Sequence, residues 1–350
     1  MDLNEEARPY WGAAALRGLG LLLVAVLTMW PLAGRASAAT VIPVGRAVGI
    51  KLFSDGVVVV GTSEVATDGG SVNPAKACGL REGDIITHIN STEVDTIEEV
   101  SALLQELEGD TMSIRAIRDE RQVQLTAKAV KCSADGAYKL GAWIRDSMAG
   151  IGTVTFYCPG TGAFGALGHG INDTDTALLM PLESGSILPA TVAGVEKGVS
   201  GTPGQLKGIF DTKATLGLLS ANTSGGVFGT MADGKWASGP AVETAERDEV
   251  EAGPAVIRCN ISGDRVDEYQ VEITKVLPEA EGDCRDYLIK VTDQRLLDAT
   301  GGIVQGMSGS PLLQNGKLVG AVTHVMVDDP SSGYGIYVGR MLRECGVPEA

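Results

Sequence analysis

The 350-residue sequence predicts a mainly β protein in two parts, a small α+β module and then a larger domain of short strands, behind an N-terminal hydrophobic segment. Three observations predict this. One strongly periodic helix, DTIEEVSALLQELE at 95–108, stands alone. From about residue 137 the chain breaks into short apolar runs cut by glycine, the texture of tight turns between strands. Residues 18–34 carry no charge. Composition removes other classes. With 28 Lys and Arg against 44 Asp and Glu, the formal charge of −16 would repel a phosphate backbone, which argues against a nucleic-acid binder. At 44% hydrophobic and 21% charged residues the chain is globular rather than disordered. Its 47 glycines follow no triplet period, so collagen is excluded. Six cysteines without a CxxC pair suit neither a disulfide scaffold nor a cysteine-rich zinc site.

The N-terminal part, residues 1–40, reads as an export segment. GLGLLLVAVLTMWPLAG, at 18–34, lies at the lower limit for crossing a bilayer, and Pro31 interrupts its end. Arg8 and Arg17 precede it, offset by Asp2, Glu5 and Glu6, and Ala36-Ser37-Ala38 gives a signal-peptidase pattern. A cleaved signal peptide and a retained signal anchor both fit. Either places the chain beyond about residue 40 outside the cytoplasm, where disulfides are permitted.

The module spans about 41–130. In its helix Ile97, Val100, Leu103, Leu104 and Leu107 recur at helical spacing, Thr96 and Glu99 suit a capping box, and Gly109 follows as a stop. Met112, Ile114 and Ala116 then alternate with polar residues, as do Val123, Leu125 and Ala127, across a turn at Arg118–Arg121. Ahead of the helix stands PAKACGLREGDIITHIN, 74–90, with Gly83-Asp84 turning into a strand that carries Ile85, Ile86 and Ile89. This arrangement resembles a PDZ domain. On that resemblance Val48-Gly49-Ile50-Lys51 would be the loop whose N–H groups hold a peptide carboxylate, and a partner's end would add as a strand beside it. His88 reads as a half-exposed strand residue and Cys78 as a buried thiol.

The second domain, 137–350, offers short apolar runs such as 151–157, 226–230, 255–261, 269–276, 287–292 and 317–327, and its span of about 210 residues would accommodate two small barrels. It holds no HExxH and no GxxxxGK[ST] loop, and the whole chain has only three histidines. Two dense signatures remain, FGALGHGINDTDT at 164–176 around His169 and TGGIVQGMSGSPL at 300–312 around Ser308. A serine nucleophile needs an exposed hydroxyl on a tight turn with N–H groups aimed at the developing oxyanion. Gly306 and Gly309 permit that turn, and Gly306 and Ser308 can offer the N–H groups. Alone, either signature is also compatible with a plain glycine-rich turn. The order, His169 before Ser308, and the GxSGxP turn match chymotrypsin-like double-barrel proteases.

Five blocks extend the likeness: YKLGAWIRDSMAGIGTVTFY (138–157), GALGHGINDTDT, VEKGVSGTPGQLKG (195–208), the run from IKVTDQ (289) through GMSGSP, and KLVGAVTHVMVDDPSSGYGIYV to 338. In this order they resemble the stage IV sporulation protein B peptidase family. The resemblance implies a PDZ domain followed by a chymotrypsin-like double β-barrel. It also implies a self-processing serine endopeptidase, needing no cofactor, in the intermembrane space of the developing spore. Its substrate there would be the extracytoplasmic part of a membrane-bound regulatory complex, whose cleavage releases an intramembrane protease that activates a late sigma factor. The family's triad falls on His169, Asp293 and Ser308, with Asp293 orienting the imidazole. Thr292-Asp293-Gln294 departs from the family's usual TDP, and Asp298, Asp173 and Asp175 stand near enough in sequence to compete. His324, 16 residues after Ser308, would either line the pocket for the residue before the cut or be structural. Two rival readings are an inactive PDZ adaptor and a serine/lysine tail-specific protease; for the latter, Lys317 is the only lysine after Ser308.

Overall fold

The computed structural model describes residues 39–279 and 284–347, so the hydrophobic run at 18–34 and the cleavage pattern after it lie outside the described residues. Among those described, no helix is long and apolar enough to cross a membrane. In the first half the main strands are β1 (Ala47–Thr62), β2 (Ile85–Ile89), β3 (Thr111–Arg118), β4 (Arg121–Lys128), β5 (Ala142–Tyr157), β6 (Ala163–Ala166), β7 (Ser184–Glu196), β8 (Gly217–Thr223) and β9 (Gly226–Met231). Then come β10 (Gly253–Ser262), β11 (Arg265–Val276), β12 (Tyr287–Val291), β13 (Pro311–Gln314), β14 (Lys317–Met326) and β15 (Asp329–Tyr337). Among the described residues four short α-helices accompany them: α1 (Pro74–Cys78), α2 (Ile97–Gln105), α3 (Gln294–Thr300) and α4 (Val338–Glu344).

Two six-stranded rings result. In the first, β5 pairs with β6, β6 with β9, β9 with β8, β8 with β7, β7 with β1, and β1 returns to β5. The second is a closed barrel in the order β10-β11-β12-β15-β14-β13. Closure removes the sheet edges that would otherwise invite pairing with another chain. Val154, Phe164, Ile187 and Val227 fill the first ring, while Phe156 and Phe228, on the other face of the same strands, join Ile257, Tyr287, Ile289 and Leu312 in the core of the second. The Tyr287 hydroxyl, carried into that core, donates to the Val319 carbonyl at 3.1 Å, so its burial leaves no orphaned donor.

The PDZ part forms as its residues predict. Helix α2 starts on a capping box, with Glu99 N–H donating to Thr96 Oγ1 and Thr96 N–H to Glu99 Oε2; a cap of this kind stabilises by about 1 kcal/mol. Val100 points into a core of Val57, Ile86, Ile89 and Ile114. The turn at Asp119 and Glu120 lies at positive φ and joins β3 to β4 in full register. Gly83, at φ +86°, turns into β2, and buried Asp84 accepts from Arg81 N–H and pairs with Arg118 at 2.7 Å. His88 is half-buried on β2, and Cys78 is half-buried with its thiol on the Ala75 carbonyl.

Two expectations are corrected here. Val48–Lys51 is not a loop. It lies within β1, paired to Ala149–Gly152 of β5 on one side and Ser186–Pro189 of β7 on the other, so its N–H groups serve the barrel ladder. Nor does the chain divide between 130 and 137. Strand β1 runs from the barrel (Ala47–Phe53) into the PDZ sheet, where Val57 and Val58 pair with β2. Strand β5 makes the return journey: Ala142–Arg145 pairs with the PDZ half of β1, and Ser147–Thr153 with its barrel half. The PDZ part is thus an insertion between the first two strands of the first barrel. A run such as GIKLFSDGVVVV looks the same whether one domain or two use it, which hid the crossing from a reading by motif.

Candidate active site

The serine turn is built by glycine and pinned by threonine. Gly306 and Gly309 sit at φ +96° and +94°, and a Cβ on Gly309 would lie 2.0 Å from the Thr153 carbonyl oxygen. Only glycine fits there. From β5, Thr153 Oγ1 donates to the Gly306 carbonyl (2.8 Å) and Thr155 Oγ1 to that of Gly309 (2.7 Å), while Thr153 N–H donates to the Ser308 carbonyl (3.0 Å). Both threonines are buried. Their alternation in GTVTFY was the signal that could have found them, since polar residues on a buried face of a strand need a partner. The N–H groups of Gly306 and Ser308 take no acceptor among the described residues, as an oxyanion hole requires.

Ser308 Oγ donates to the Thr323 carbonyl at 2.6 Å. His169 follows Leu167 and Gly168, both at positive φ, which swing the chain out of β6 toward the same cleft. Its Nδ1 lies 2.8 Å from the Gly170 carbonyl. A carbonyl can only accept, so Nδ1 carries the proton and Nε2 the lone pair, the tautomer a general base needs. Burial lowers the imidazole's pKa below the usual histidine value, against a smaller raising effect of the Gly170 carbonyl. The ring is therefore neutral at neutral pH. Its neighbour is His324 of β14, with ring centroids 4.9 Å apart.

These groups line a cleft of about 470 Å³ whose walls come from both barrels, including Ile50, Met148, Ile151, Val304 and Val325. Among the described residues no carboxylate lines it. Asp293 is elsewhere. It caps α3, accepting from Arg295 N–H (2.9 Å), Arg295 Nη2 (2.8 Å) and Gln270 N–H (3.2 Å). Arg295 first, then these N–H groups, pull its pKa down to about 2. The expected triad acid is thus a helix cap, tied to Arg295 and to Gln270 of β11 rather than to His169. Asp298 is exposed and accepts from Gln294, and Asp173 and Asp175 both pair with Arg145. The sequence-predicted Ser308, Gly306, His169 and His324 meet in one cleft; Asp293 does not join them. Of Val48–Lys51, only Ile50 reaches the cleft, as part of its apolar wall. Lys317 pairs with Glu249 at 2.6 Å and does not line the cleft, which disposes of the serine/lysine reading. A second cleft, of about 520 Å³, runs between α2 and residues 137–144, lined by Val100, Leu104, Leu140, Trp143 and Ile144.

The profile of the SpoIVB peptidase S55 family matches residues 136–342. The chain belongs to this family. It is a serine peptidase, and a PDZ domain profile matches residues 71–118. No curated protein matches the sequence. Among solved structures, the active form of the Rv3671c protease from M. tuberculosis is 18% identical, over 59% of this chain and 77% of that one, at a TM-score of 0.31. The inactive form of that protease is 17% identical over 57% and 85%, with a TM-score of 0.32. The PDZ domain of the SdrC-like protein from Listeria monocytogenes is 25% identical over 26% of this chain and 87% of its own, with a TM-score of 0.21. In this S55 peptidase the PDZ profile falls wholly within the insertion between β1 and β5.

Proposed function

We propose that this peptidase is an endopeptidase in which Ser308 attacks the scissile carbonyl and His169 moves the proton, acting after export on the outer part of a membrane-bound regulatory protein. The observation that carries it is the meeting of a neutral imidazole, a serine between two glycines and two unspent N–H groups in one cleft. For attack the Ser308 hydroxyl leaves the Thr323 carbonyl for His169 Nε2. Nε2 takes the hydroxyl proton as the Ser308 Oγ–carbon bond forms, the oxyanion falls to Gly306 and Ser308 N–H, and the imidazolium returns the proton to the leaving amine. Asp293 serves at one remove, fixing α3, whose chain continues into the serine turn.

The finer reading follows from the family and the N-terminal sequence. Residues 18–34 send or anchor the chain across the membrane, into the space around a developing spore. There it cuts itself and a regulator, releasing an intramembrane protease that activates a late sigma factor. The α2 cleft, with Ala142–Arg145 as its strand, would receive peptide ends or segments. His324, beside the base, would contact the bound chain and bias cleavage. Incubating the full chain, wild type and Ser308→Ala, with membranes containing a candidate regulator tests the reading. Ser308-dependent fragments of both chain and regulator are expected, and identical fragments from the two proteins would overturn it.

A further inference from the structure

The loop that carries the base is held at two places. On one side Asn222, at the end of β8, accepts from Ile171 N–H (2.8 Å) and donates to the Ile171 and Met180 carbonyls (3.0 and 2.8 Å). On the other side stands Arg145 of β5. Its guanidinium bonds the buried carboxylate of Asp173, reaches Asp175 Oδ2 at 2.7 Å and contacts Thr174 Oγ1 at 3.2 Å. The far oxygen of Asp173 accepts from Asp175 N–H, Thr176 N–H and Thr176 Oγ1, so this one carboxylate organises the outer end of the loop. A planar fork gripping two carboxylates fixes direction as well as charge, which a lysine could only partly copy.

Arg145 also sits at a revealing place on its strand. The pairing of β5 with β1 breaks between Arg145 and Ser147, where Asp146 alone stands opposite the four residues 54–57 of β1, the point at which β1 passes from one sheet to the other. Next to it Asp146 accepts from the N–H of Ile97, the first residue of α2 (3.0 Å). Two consecutive residues of β5 at this break therefore grip the histidine loop and the PDZ helix, Arg145 the one and Asp146 the other. Residues 148–151, a few positions further along the same strand, line the catalytic cleft.

We propose that Arg145 is a positioning residue of the peptidase: by clamping Asp173 and Asp175 it holds the loop on which the Gly170 carbonyl orients His169, and the adjacent Arg145 and Asp146 link that loop to the PDZ helix. The inference rests on His169 being the base, as argued above. Arg145, Asp173 and Asp175 do not line the cleft; the clamp acts through the placement of the imidazole, where misplacement of an ångström can cost on the order of 10²-fold in rate.

The test compares full-chain wild type, Arg145→Met, Arg145→Lys, Asp175→Asn and the remote ion-pair control Lys317→Met. It reads Ser308-dependent hydrolysis together with amide hydrogen exchange of residues 170–180. Arg145→Met is expected to lower kcat on the order of 10²-fold with KM changed by less than about twofold, and to speed exchange in 170–180. Arg145→Lys recovers part of the rate, Asp175→Asn loses less than Arg145→Met, and Lys317→Met matches wild type. If Arg145→Met does not fold, the lysine and Asp175→Asn variants must show the same pairing of lost kcat with faster loop exchange. Wild-type kcat and exchange in a folded Arg145→Met overturn the proposal, as does a rate loss shared by Lys317→Met. Should hydrolysis persist in Ser308→Ala, the assignment of the nucleophile fails, and the exchange arm alone still decides whether Arg145 holds the loop.

Discussion

Ser308 and His169 face one cleft but rest on other partners, the Thr323 carbonyl and the Gly170 carbonyl. In the proposed mechanism one proton passes between them, so their losses should not add. Ser308→Ala and His169→Ala should each abolish self-cleavage as read by intact mass, and the double variant should be no worse than either. The pH dependence has a definite sign. A base works only when deprotonated, so activity is full at high pH and falls as pH drops through the His169 pKa. Burial lowers that value, hence the acid limb of kcat/KM should lie below the usual pH of about 6.5. An acid limb above it would contradict a buried imidazole base. That Ser308, Gly306 and His169 share one cleft was foreshadowed in the sequence by two short motifs. The partner that orients His169 was not, since a backbone carbonyl leaves no mark on residue type.

Helix α3 shows how an element can mislead a reading by position. Asp293 stands 15 residues before Ser308, a distance that says nothing of which way its side chain points. Its N-cap geometry and its Arg295 pair instead make it a fixture of α3. The linkage sign follows from the lowered pKa: stability is fully present above the unfolded value near 3.8 and is lost as pH falls toward about 2. The expected contribution is at most about 2 kcal/mol, and less because Arg295 is largely in solvent. Urea midpoints should therefore fall between pH 4 and pH 2 in wild type and stay flatter in Asp293→Asn. That variant should lose activity only in proportion to its displaced turn. A loss of about 10⁴ at unchanged stability would return Asp293 to the role of triad acid. By contrast α2 was legible almost to its ends, because a capping box and an apolar stripe are local signals.

At the scale of the whole molecule, the two domains share strands. Motifs placed a boundary near 137, where composition changes, yet β1 belongs to the first barrel from residue 47. Pairing between segments some hundred residues apart carries no local signature, so the crossing could not be read from the chain. A fragment of residues 137–350 would lack the strand that joins β5 to β7. It should be unfolded by circular dichroism, whereas independent domains would leave it folded and active. The central claim, a serine nucleophile driven by His169 in a cleft made by both barrels, is tested most directly by one measurement. The folded full chain is treated with a serine-reactive fluorophosphonate and the modified residue is located by peptide mass. The predicted result is a single adduct on Ser308 in wild type and none in folded His169→Ala; an adduct elsewhere, or undiminished labelling of Ser308 without His169, would contradict the account.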